Sequence, residues 1–250
     1  MLQSCACWLS ICCKRERRSS SRLTSIPGAG RRLSSAVGQI RQVALEDGSS
    51  VTLDTNTLLT ARYSKSRRLF RLLRGRARFA VHPDPARPFI VAAGGAEVVA
   101  RSAQFDVDLA APHGLGVTPV SGAIDVQVRP LFQPWRASPL TTHLGPGQQA
   151  DFDRFASRPC VQKAPAGDVL WPTGFLSFER TPLADVVAQA NRYSVRKIRL
   201  SDPALGALQV SGVFKMGAPR ELAASLAALF SLRLVNKDGG DIELAPASAP

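Results

Sequence analysis

The sequence is poor in the residues that most enzymes and metal proteins gather. Its three histidines, His82, His113 and His143, stand about thirty residues apart, next to Pro or Gly or in presumed loops. Solvent-facing turn histidines are the simpler reading than a shared ion site. Of five cysteines, Cys5, Cys7, Cys12 and Cys13 crowd into the first thirteen residues and Cys160 stands alone. No C-x-x-C knuckle occurs, which argues against zinc ligation, and a single cysteine in the folded part leaves no internal disulfide framework there. Aromatics make up only 6% of the chain. The apolar run in "MLQSCACWLSICC" is about a dozen residues, too short to span a bilayer, and it lacks a basic leader and a small-residue cleavage site. No export or transmembrane segment is expected in the chain as written. There is no nucleophile elbow, phosphate loop or paired-carboxylate constellation. The expectation is therefore no catalytic residue, no metal, no cofactor and no small-molecule substrate.

What is present is apolar content and positive charge. At 45% apolar the 250 residues can build real cores, and the formal net charge is +13. Residues 1–35 contribute +6, residues 36–150 +5 and residues 151–250 +2. The excess lies in a basic tail and one stripe, Arg62, Lys65, Arg67, Arg68, Arg71, Arg74, Arg76 and Arg78, with no acid between Asp54 and Asp84. Only Tyr63 and Phe70 accompany it, whereas nucleic-acid readers interleave stacking rings or present a recognition helix. A solvated sheet face or a contact for an acidic protein fits better.

Residues 1–35 read as a disordered basic segment, and order is expected to begin near Val37. Val43 and Leu45, the Asp47-Gly48 turn, then Val51 and Leu53 predict a hairpin. From Leu73 the alternation places Leu73, Gly75, Ala77, Phe79 and Val81 inward and Arg74, Arg76 and Arg78 outward. The run breaks on Pro83-Asp84-Pro85, where Asp84 can cap a nearby amide or pair with Arg87. "SAQFDVDL" sets Ala103, Phe105, Val107 and Leu109 against Ser102, Gln104, Asp106 and Asp108, the two acids being read as exposed. Val120, Gly122, Ile124, Val126 and Val128 share one further face. Short strands at about ten-residue spacing predict an all-β sandwich or stacked-sheet domain over 36–135. The Pro/Gly-rich residues 136–170 read as a linker with one closing strand.

Over 171–245 the pattern changes to a small α+β module. "GFLSFE" is a strand. Thr181 is placed as helix N-cap, followed by Leu183, Val186, Val187, Ala190 and Tyr193 on one stripe. "KIRL" and "LQVSGVF" are strands. Leu222, Leu226, Leu229 and Phe230 line a second helix, and "LRLVNKDGGDIEL" closes as a hairpin. The order is β-α-β-β-α-β-β. Its open strand edges suit strand addition by a partner. The candidates are Gln209, Val210, Ser211, Gly212 and Val213, or Arg233, Leu234, Val235 and Asn236. Arg74, Arg76 and Arg78 are further candidate contacts, while Val210 and Val213 could equally be core.

"VALEDGSSVTLDTNTLL", "LLRGRARFAVHPDPARPFIVAAG" and "VSGAIDV" resemble the FecR family of sigma-factor regulators. "LSFERTPLADVVAQANRY", "KIRL" and "VSGVF" resemble the secretin/TonB short N-terminal module at the end of many such proteins. The resemblance implies a non-catalytic relay, anchored in the inner membrane with its β domain in the periplasm. Its partners would be the signalling domain of a TonB-dependent outer-membrane receptor, typically for iron cargo, and an ECF-type sigma factor. Sigma-factor binding would need a helical segment and a membrane span that residues 1–35 do not match, so a reading frame that starts upstream is expected. Ser102-Ala103 and Pro119 depart from the family pattern, the proline removing a ladder donor mid-strand. A structural part in secretin-type assemblies and a basic-patch nucleic-acid binder are the alternative functions.

Overall fold

The computed structural model describes residues 30–111, 114–128, 140–152, 159–164 and 170–247. Two antiparallel-dominated sheets of seven strands, numbered in chain order, face each other. The first runs β1 (Arg31–Ser34), β4 (Leu58–Tyr63), β5 (Arg68–Arg74), β7 (Phe89–Ala93), β8 (Ala96–Ala100), β11 (Ile124–Val128), β12 (Leu140–Leu144). The second runs β14 (Cys160–Lys163), β13 (Gln148–Phe152), β10 (Gly114–Ser121), β9 (Gln104–Ala111), β6 (Arg76–Ala80), β3 (Ser50–Leu53), β2 (Arg41–Ala44). Period-2 apolar residues from both sheets meet between them. Phe70, Phe79, Phe89 and Phe105 form the centre, with ring centroids 4.4 to 5.9 Å apart along the chain of contacts. Offset and edge-on rings at such distances add to the burial of their area.

The sandwich is the architecture expected from the strand spacing, with several local corrections. Order reaches back before Val37, since β1 pairs with β4. The expected single strand through residues 73–81 is two strands in opposite sheets, broken at Gly75, which has φ 85°. The chain turns this corner tightly enough that a Cβ on Gly75 would lie 2.3 Å from Thr57 Oγ1. The break shifts the alternation by one, with Phe70 and Leu72 facing the core before it and Ala77 and Phe79 after it. Leu73 therefore ends 49% exposed, while Arg76 and Arg78 keep to the outward face and are buried there. The run Val120 to Val128 likewise splits between β10 and β11, with Gly122 at positive φ. Pro119 is accommodated because the β9–β10 register slips between Pro119 and Ser121. The stretch expected to be a linker with one closing strand carries three strands, β12, β13 and β14.

Arg68 also leaves the solvated stripe. It is fully buried, donating to Asp47 Oδ2 at 2.6 Å, to the His82 carbonyl at 2.9 Å and to the Arg87 carbonyl at 3.0 Å. Its guanidinium lies over the Phe89 ring. Asp84 does both things expected of it, accepting from the Ala86 amide and pairing with Arg87 at 2.8 Å. Together these bonds tie the corner between β6 and β7.

A second core follows. β15 (Phe175–Pro182) pairs with β17 (Gln209–Lys215). β16 (Ile198–Leu200) pairs in parallel with β19 (Ile242–Pro246), which pairs antiparallel with β18 (Leu232–Asn236). Helices α1 (Leu183–Arg192) and α2 (Pro219–Phe230) pack over them. The expected element order holds. Thr181 is a strand residue opposite Val210 rather than a cap, because β15 runs on to Pro182, whose fixed φ starts α1. Leu229 is exposed, and Ala223 and Ala227 take the inward stripe with Leu222 and Leu226.

Two outcomes test this packing. Gly75→Ala should lower stability by at least about 2 kcal/mol in urea denaturation, from left-handed strain plus the clash with Thr57. Gly95→Ala, equally left-handed but with nothing within 4 Å, should lose only about 1 kcal/mol. For Asp47, burial pushes the carboxyl upward, but hydrogen bonds from Arg68 and Ser49 outweigh it and hold the group below its ordinary 3.8. Its stabilisation is therefore complete above that value and is lost as pH falls through the lower folded-state value. Asp47→Asn should cost about 3–5 kcal/mol at neutral pH by orphaning a buried guanidinium. The gap to wild type in urea midpoint should close as the solution is acidified past the carboxylate range.

Candidate functional site

The outward face of the second sheet is a polar lattice, and the C-terminal core roofs it. The pairing register sets Arg78, Asp106 and Thr118 in one lateral row and Arg76, Asp108, Gly116 and Asp151 in the next. Asp106 is only 3% exposed and Arg76 and Arg78 are 7% exposed. Asp106 Oδ1 accepts from Arg78 Nε at 2.6 Å, and Oδ2 accepts from Arg76 at 2.9 Å and Arg78 at 2.8 Å. Trp171, buried at the entry to the C-terminal core, donates its indole N–H to Asp106 Oδ2 at 2.8 Å. Its ring lies 5.1 and 5.4 Å from the two guanidinium carbons, within cation–π range. The expectation that Asp106 is an exposed solubilising acid and that Arg76 and Arg78 sit on a solvated face is thus corrected. The two guanidinium groups share one carboxylate beneath a tryptophan.

A second set of contacts completes the junction. Tyr193, at the end of α1, donates its hydroxyl to Asp54 Oδ2 at 2.8 Å. Arg192 stands 3.6 Å from Asp54 and 3.5 Å from Asp108, and its carbonyl accepts from Thr55 Oγ1 at 3.1 Å. Burial drives the Asp54 carboxyl above its ordinary range despite Arg192 and the Tyr193 bond. Burial, with the Asp54 charge beside it, likewise drives the Tyr193 hydroxyl well above its own. Between the two sets lies a cleft of about 320 Å³, lined by Asp108, Gly116, Gln149, Phe175, Ser177 and Arg192 among others.

Two of the three groups of candidate partner-binding residues lie on strands β17 and β18 of this core. β17 pairs only with β15, and β18 only with β19, so each presents an unpaired edge among the described residues. Val210 is fully buried and belongs to the core, whereas Val213, three positions on and so on the opposite face, is 60% exposed. Gln209 and Ser211 are exposed and Gly212 is half-buried. On β18, Arg233, Leu234 and Asn236 are exposed and Val235 is half-buried. Leu229 of α2 and Leu234 are both large exposed apolar residues. Arg74 is exposed and donates to the Asn56 carbonyl, far from these edges in the fold. The structure therefore gathers two of the three candidate groups on one module and divides the third.

Of the histidines, His143 lies on β12 rather than in a loop and pairs with Asp125, His82 is exposed, and His113 is outside the described residues. No group of three or more His, Cys, Asp or Glu side chains able to hold a metal ion occurs among the described residues. No helix there is long and apolar enough to cross a membrane.

Residues 31–125 match the family model described as FecR protein. Two crystal structures of a candidate anti-sigma factor from Parabacteroides distasonis ATCC 8503 are similar to this chain, both with a TM-score of 0.68. They are 22% and 23% identical to it, covering 87% of this chain and 99% and 100% of theirs. At that identity the likeness concerns the fold, and 87% coverage carries it well past the family match into the C-terminal core. No curated protein matches the chain.

The junction can be tested directly. Asp106→Asn should cost about 3–5 kcal/mol, because it removes the charge that two buried guanidinium groups face. Since the two cores are separate, the loss should show in hydrogen exchange first as exposure at Trp171 and α1. The strands around Phe79 and Phe105 should keep their protection until global unfolding.

Proposed function

We propose that this protein is a sigma-factor regulator of the FecR type, relaying a signal by docking onto other polypeptides and altering no covalent bond. The observation that carries the reading is the pairing of a FecR-matched β sandwich with a small module whose strand edges are open. Backbone groups along such an edge form a ready template for an incoming strand, and side chains such as Val213 or Leu234 select it.

In this reading the C-terminal module resembles the secretin/TonB short N-terminal type. Its partner is the signalling domain of a TonB-dependent outer-membrane receptor, in iron-uptake regulation. The folded part works in the periplasm, anchored to the inner membrane, and an ECF-type sigma factor is reached through a segment N-terminal to the sandwich. The fold likeness to a candidate anti-sigma factor supports the regulatory class. The basic stripe gives little support to nucleic-acid binding, since Arg68, Arg76 and Arg78 are occupied inside the fold.

Val213→Asp and Leu234→Asp test the docking edge by titration calorimetry against a receptor signalling domain. Both positions are exposed, so folding should survive. The edge that accepts the strand should lose at least about tenfold in affinity when it gains a carboxylate, and the other edge should be unaffected. Undiminished binding by both variants would remove the assignment.

A further inference from the structure

The outer face of the first sheet is a lattice with opposite charge at its two ends. One lateral row runs Arg62, Leu69, Ile90, Val99, Asp125 across β4, β5, β7, β8 and β11. The next runs Thr60, Arg71, Ala92, Glu97, Gln127 across the same strands. Arg62, Arg71 and Glu97 are exposed, Asp125 retains 45% of its side-chain surface, and the apolar residues between them are half-buried. The C-terminal core packs on the other sheet, so no described element covers this face.

β7 is the fourth of the seven strands, and across the five central strands the charge pattern reverses about it. A two-fold axis lying along β7 in the plane of contact carries β5 over β8 and β4 over β11. The lateral rows then fall on themselves. Arg71 of one copy meets Glu97 of the other, Arg62 meets Asp125, Leu69 meets Val99, and Ile90 meets its own counterpart. Each pair occurs twice, as an isologous contact requires. Sheets that pack face to face keep their strands within about 30° of parallel, which this axis permits.

We propose that this face is a self-association surface whose occupant is a second copy of the chain. A uniformly acidic partner would suit Arg71 but would set like charges against Glu97 and Asp125. The mixed-sign pattern is matched by its own two-fold image. Seven strands spaced at roughly 4.8 Å make a face about 29 Å wide, which puts the contact at the weak end of specific interfaces. The dimer is therefore concentration-dependent, and it loosens in salt because its charges sit at a solvated rim. The inference is independent of the docking edges on the C-terminal module.

Sedimentation velocity on the full chain tests it, with Arg71→Glu, Glu97→Arg and the double variant R71E/E97R. Wild type should dimerise as concentration rises. Each single reversal sets like charges together twice per dimer and should raise the dissociation constant about tenfold or more. The double variant restores opposite charges and should recover dimerisation. A wild type that stays monomeric into the high micromolar range overturns the proposal. So does a dimer indifferent to the single reversals, or a double variant that fails to recover.

Discussion

Two buried carboxylates hold the molecule together as one body. Asp106 bridges Arg76 and Arg78 on the sandwich and takes the Trp171 indole from the C-terminal side. Asp54 takes the Tyr193 hydroxyl and faces Arg192. Each side of the junction has its own hydrophobic core, so what joins them is directional bonding. A buried charge is expensive when alone and tolerable when fully partnered. The junction is consequently intolerant of partial disruption. Removing one partner leaves the rest desolvated without compensation, which favours complete opening over loosening.

That character suits a relay better than a fused hydrophobic interface would. Polar groups leaving the junction regain hydrogen bonds with water, which offsets part of what they give up. The C-terminal core keeps its own packing through Leu183, Val186, Leu226 and Leu244 whether or not it is docked. The residues that bond Asp54 and Asp106 in the junction, Arg76, Arg78, Trp171, Arg192 and Tyr193, include none from β17 or β18, so a partner can engage those edges without competing for either carboxylate.

The legibility of the sequence followed the reach of local physics. Alternation across Phe105, Val107 and Val126 and the Asp47-Gly48 turn disclosed the sandwich, because strand period and turn chemistry act over a few residues. The β-α-β-β-α-β-β order was legible from the stripes of Leu183, Val186 and Val187 and of Leu222 and Leu226. Arg76, Arg78 and Asp106 misled for one reason. Alternation tells which residues share a face but not whether that face meets water or another polar layer. Asp106 lies about thirty residues from its arginines and sixty-five from Trp171, a closure no local pattern reports. Gly75 was legible as a small inward residue, and its positive φ, which moves the chain between sheets and resets the alternation, was not. Trp171, Tyr193 and Asp54 escaped as site residues because each looked like ordinary core or turn.

The corner at Gly75 also fixes how tension crosses the molecule. A pull on the C-terminal core enters the second sheet at β9 and β6, where Asp106 meets Arg76 and Arg78. Residues 68–74 lie in one sheet and 76–80 in the other, so a single unbroken stretch of backbone carries that load from layer to layer. The hydrogen-bond ladders of β6 with β3 and β9 run its whole length, and force along the strand loads them together in shear rather than one by one. Under traction the ionic junction is the fuse, and the sandwich behind it stays whole.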